Sequence, residues 1–185
     1  MPMRIIPRLL LPLLLAGGAL APAARAAGAH SHGTAHLDVA VDGATITLKL
    51  QSPLESLLGF ERAPRNDAER GQVHAMAQAL RSGNAFVPTA AARCRLDKVD
   101  LASPVLAPEL LGGGGGGTVP GKPADDHADL EGTFVYRCED PRALQGVDVM
   151  LFDYFKRLQR VDAQVAGPKG QSALKLHSRA RQIRW

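Results

Sequence analysis

A chain of 185 residues has room for a domain with a sizeable core, and its eight aromatic residues are too few to stack bases along a nucleic acid. The formal charge of +4 is concentrated at the ends, so a high pI is no argument for an anionic partner. Two cysteines without C-x-x-C spacing give no support to a two-thiolate metal site.

The chain opens with a short basic stretch, Met1 to Arg8, followed by an apolar run from Leu9 to Leu15 broken by Pro12. Small residues come next, and Ala24-Arg25-Ala26 is the A-x-A pattern of a signal peptidase site. Residues 1–26 therefore read as a removed signal peptide and residues 27–185 as a single exported domain, with no stable membrane anchor. Cleavage takes away Arg4, Arg8 and Arg25 and no acid, leaving nineteen basic against eighteen acidic residues. In an oxidising compartment such as the periplasm, Cys94 and Cys138 are expected to form a disulfide.

His36 to Val41 alternates polar and apolar, Asp42-Gly43 is a turn signal, and Ala44 to Gln51 alternates again. A two-residue loop at Asp42-Gly43 sets Val39 opposite Ile46, Leu37 opposite Leu48, Asp38 opposite Thr47 and His36 opposite Lys49. Ser52-Pro53-Leu54-Glu55 is a helix start with Ser at the cap and Glu reaching back to the cap amide, and Gly59 ends that helical turn. Asn66 to Glu69 repeats this logic for a longer helix stopping near Ser82-Gly83, with Val73, Met76, Ala77 and Leu80 along one face.

Strands are predicted at Arg93–Leu101, Leu130–Cys138, Val147–Leu151 and Arg160–Val165, with weaker ones near Ala173–His177 and Gln182–Trp185. Phe134, Tyr136 and Cys138 share a face, and the cysteines would staple neighbouring strands. Between the first two strands, Pro108 to Asp129 holds six consecutive glycines, Gly112 to Gly117, and reads as a mobile surface loop. The class that follows is α+β: an antiparallel sheet with one substantial helix, a short helical turn and one disulfide. The basic last thirty residues read as a solvated strand face.

His30, His32 and His36 stand at even spacing near the mature start. In an extended segment they project to one polar face together with Asp38, where imidazoles can hold Zn²⁺ or Cu²⁺ if a carboxylate or water completes the shell. The competing reading is a solvated polar terminus. Asp125-Asp126-His127-Ala128-Asp129 offers either further donors or a solubilising acidic loop. His74, His177 and Glu61 read as surface residues when taken singly. Cleavage after Ala27 would expose Gly28-Ala29-His30, a terminal copper-binding set, at the cost of Arg25 in a position that wants a small residue. Catalytic signatures are missing from the sequence: it has no G-x-S-x-G, no H-E-x-x-H and no phosphate loop.

Taken together, His30-Ser31-His32-Gly33-Thr34-Ala35-His36 through Asp42-Gly43, then Ser52-Pro53-Leu54, Gly59-Phe60-Glu61-Arg62-Ala63-Pro64, Tyr136-Arg137-Cys138 and Leu151-Phe152 resemble the ZrgA family of periplasmic zinc-uptake proteins. The resemblance implies a periplasmic protein that binds zinc ion, assists a high-affinity ABC-type zinc transporter and catalyses no reaction. By position, His30 and His32 correspond to the family's H-x-H-G start and Glu61 to the carboxylate of its G-F-E-H-A-P segment. His36 and His127 complete the candidate ligand set, with copper or nickel as alternative metals. Two departures remove donors: Arg62 stands where the family has His, and polyglycine replaces a His/Asp-rich tract between the cysteines.

Overall fold

The computed structural model describes residues 32–113 and 128–185; the expected signal segment 1–26, His30, His127 and most of the glycine run lie outside the described residues. Nine strands form two sheets: β1 (Thr34–Asp42), β2 (Thr45–Pro53), β3 (Phe86–Pro88), β4 (Cys94–Ala102), β5 (Asp129–Cys138), β6 (Gly146–Val149), β7 (Arg160–Gly167), β8 (Gly170–Leu176) and β9 (Gln182–Arg184). The larger sheet runs β4-β5-β2-β1-β7-β8 and the smaller β3-β6-β9. Three helices accompany them: α1 (Leu54–Leu58), α2 (Asp67–Arg81) and α3 (Leu151–Tyr154). The protein is thus mostly β, with helices set against the strands.

Alternation decides which side of the large sheet is buried. Ala35, Leu37 and Val39 of β1, Ile46, Leu48 and Leu50 of β2, Leu130, Phe134 and Tyr136 of β5, and Val161, Ala163 and Val165 of β7 all point inward and are at most 3 % exposed. Against them pack Val73, Met76, Ala77 and Leu80 of α2, the stripe its 3.6-residue period requires, and Phe86, Val147, Val149 and Ile183 of the small sheet. Phe86 meets Phe134 edge to face, with ring centres 4.9 Å apart. His74 lies off the stripe and is exposed.

Cys94 and Cys138 are direct cross-strand partners of β4 and β5 and form the disulfide. The start of α2 is capped as its sequence requires: the Asn66 side chain accepts from the Glu69 N–H at 2.9 Å.

Five expectations need correction. The hairpin loop is Gly43-Ala44, with only Gly43 at positive φ, so Val39 pairs with Leu48, Leu37 with Leu50, Asp38 with Lys49 and His36 with Gln51. The slip is two residues, so every side chain keeps its predicted face. The large sheet is mixed rather than antiparallel, because β1 pairs with β7 in parallel. The strand expected to reach Leu151 stops at Val149, and Leu151 and Phe152 are buried in α3. Pro108–Leu111 is a 3-10 helix rather than the start of a loop: Leu111 is 1 % exposed, and the Arg81 guanidinium donates to Leu111 O at 2.7 Å and Val99 O at 3.0 Å. Finally, no side chain caps α1, since Ser52 and Pro53 still belong to β2.

Candidate functional site

The amino-terminal histidines meet the fold where β1 begins. Thr34 is the first strand residue, and His32 and Gly33 form a turn ahead of it, so His32 is set apart from the alternation that carries His36 and Asp38. Three hydrogen bonds fix this turn. The Gly33 N–H donates to Ser56 Oγ of α1 at 2.9 Å, and Gly33 O accepts from the N–H groups of Gln159 (2.8 Å) and Arg160 (3.0 Å) at the entry to β7. Gly33 has φ +76°, and a Cβ there would lie 3.1 Å from Arg157 O, so the close three-way junction requires glycine.

Stitching the turn between α1 and β7 brings three distant residues together. His32 Nδ1 lies 3.4 Å from Glu55 Oε2, and the Arg157 guanidinium lies 3.4 Å from Glu55 Oε1. The imidazole is open, with its side chain 72 % exposed, while that of Glu55 is 26 % exposed. Both contacts are longer than the 2.7–2.9 Å usual for charge-assisted hydrogen bonds, so Glu55 is loosely held. Arg157 lies over Gly59, where a Cβ would come within 2.8 Å of its Nε. Gly59 ends α1 at φ +87° and leads directly into Phe60, Glu61 and Arg62.

Arg62 has a settled structural position. It makes a two-pronged bond to Glu69 (2.7 and 2.9 Å) and lies 5.0 Å from the centre of the Phe60 ring. These bonds, with the Arg65 N–H at 2.7 Å, hold the Glu69 carboxyl at about 2, well below the ordinary carboxylate range. Arg62 therefore ties the segment after α1 to the first turn of α2. Glu61, half-buried, sits in that same tied segment.

His36 is exposed on the polar face of the large sheet, between Gln51 of β2 and Asp162 of β7 in register. Neighbouring side chains in such a row stand roughly 5 Å apart, so an imidazole and a carboxylate flank each other there. Asp162 is itself paired with Arg160 at 3.0 Å. Among the described residues, no group of three or more His, Cys, Asp or Glu side chains converges as a ready-made metal centre. What the structure adds to the sequence reading is Glu55.

The match to a family model decides the relationship. Residues 29–185 match the model described as ZrgA family zinc uptake protein. The chain belongs to the ZrgA family. No curated protein matches it. The family's name refers to zinc uptake.

Glu55 lies in the first turn of α1 and His32 in the turn before β1, so no strand register carries a signal for their pairing.

Proposed function

We propose that this protein binds zinc in the periplasm and assists its high-affinity uptake by an ABC-type transporter, residues 1–26 being a removed signal and 27–185 the zinc-binding domain. Membership of the zinc uptake family supports this role. The observation that carries the site is the 3.4 Å between His32 Nδ1 and Glu55 Oε2. Two donors on one tetrahedral zinc, each about 2.0–2.1 Å from the metal, stand about 3.3 Å apart. The imidazole and the carboxylate already stand at the spacing of two ligands on one ion. His30, two residues upstream, is the natural third donor, with His36, Glu61 and His127 as further candidates and water filling what remains. Imidazole and carboxylate also suit copper and nickel, so selectivity for zinc rests on geometry and supply rather than on donor type.

A second reading, a metal-independent periplasmic scaffold or interaction module, draws on a specific observation. Two guanidinium groups occupy the neighbourhood, Arg62 locked on Glu69 and Arg157 against Glu55. Calorimetric titration of residues 27–185 with Zn²⁺, beside a His30→Ala/His32→Ala variant, separates the readings. Zinc uptake predicts a binding heat that the variant loses; the same heats in both would remove the site from these histidines, and no heat in either would favour the scaffold.

A further inference from the structure

We propose that Arg157 is a built-in competitor for zinc at Glu55, occupying the carboxylate in the metal-free protein and being displaced when the ion binds, so that it sets the affinity at a level from which zinc can be released. The inference rests on zinc binding at His32. It adds a ligand, Glu55, and a residue that tunes it.

Two carboxylates at the helical end of the molecule make the contrast. Glu69 accepts three hydrogen bonds of 2.7–2.9 Å and is committed to its arginine. Glu55 has its two nitrogen neighbours, His32 and Arg157, at 3.4 Å, one on each oxygen. A carboxylate with one oxygen toward an open imidazole and the other toward an exposed cation is poised for exchange. Arg157 has the means to move. Its side chain is 61 % exposed, and it rests on Gly59, where the missing Cβ leaves only backbone beneath the guanidinium.

Electrostatics supplies the coupling. A divalent ion bridging His32 and Glu55 would stand a few ångströms from a full positive charge, and that repulsion is substantial at a partly buried carboxylate. Zinc therefore pulls Glu55 toward His32 and drives the guanidinium out into solvent, where hydration compensates it. On zinc release Arg157 closes back, neutralising a carboxylate that would otherwise hold the metal more tightly. A carrier that must hand its cargo on benefits from such a counter-charge, because affinity is set by the difference between the two states.

The test is a zinc titration of residues 27–185 in competition with a fluorescent zinc chelator, on the parent and on Arg157→Gln, Glu55→Gln, His32→Ala and the Arg157→Gln/Glu55→Gln pair. Arg157→Gln should tighten binding roughly three- to tenfold, and Glu55→Gln should weaken it about tenfold. In the double variant the Arg157 change should have no further effect, because the group it competes for is gone. If His32→Ala weakens binding while Glu55→Gln and Arg157→Gln leave it unchanged, the competitor is overturned and the zinc site stands. If His32→Ala also changes nothing, both fall. Independently of any variant's folding, the Arg157 side-chain Nε–H resonance of the unmodified protein should shift at one equivalent of zinc; a resonance that stays put overturns the displacement.

Discussion

Glu69 accepts from both terminal nitrogens of Arg62 and from the Arg65 N–H, and its pKa of about 2 follows from those bonds, the Arg62 pair first. A carboxyl whose folded pKa lies below its ordinary 4.5 stabilises the fold fully above that value, and the contribution is lost as pH falls through the folded pKa. Denaturant unfolding followed from pH 5 down to about pH 2 should therefore show parent stability falling toward that of Glu69→Gln, with the gap between them narrowing across this window. Parallel curves would mean that the Arg62–Glu69 pair does not form in solution. Arg62 is also where the chain leaves its family's pattern, and the structure gives that residue a clear role: it fastens the segment carrying Glu61 onto α2.

Among the elements, β5 shows how packing and hydrogen bonding reinforce each other. Tyr136 is 3 % exposed, its hydroxyl donates to Phe86 O at 2.8 Å, and burial pushes its pKa up to about 12. Tyr136→Phe keeps the ring and removes the link between the two sheets, so it should lower unfolding stability by about 1–2 kcal/mol with little change in the slope against denaturant. A loss below a few tenths would mean that water replaces the hydroxyl at no cost.

The same strands show how far a sequence can be read. Period-two alternation in β1, β2 and β5 marked the buried face, and the period of α2 marked Val73, Met76, Ala77 and Leu80, because these patterns are local and strong. The parallel pairing of β1 with β7 joins residues such as His36 and Asp162, far apart in the chain, and no local pattern encodes it. Phe86–Pro88 is too short to display alternation. At the site, His36 on an exposed face was legible from parity alone. The His32–Glu55 pair joins a turn to a helix start, which no local pattern encodes, and Asp42-Gly43 imitates a turn centre that the chain forms at Gly43-Ala44.

At the scale of the whole molecule, charge and topology converge on the amino-terminal turn. Four of the eight cations crowded into the last thirty residues are matched by acids: Arg157 by Glu55, Arg160 by Asp162, Arg181 by Asp153 at 2.7 Å and Arg184 by Asp148 at 3.7 Å. Half of the basic tail is thus drawn into ion pairs. Among the described residues no helix is long and apolar enough to cross a membrane. With β1 paired on both sides, by β2 and β7, the backbone of the turn bearing His32 is held from two directions, and the proposed zinc site stands on that turn. Zinc K-edge absorption on the one-to-one zinc complex of residues 27–185 tests this most directly. The prediction is a nitrogen and oxygen shell at about 2.0–2.1 Å with imidazole back-scattering that diminishes in His32→Ala; a shell without imidazole scattering, or one identical in the two proteins, would contradict it.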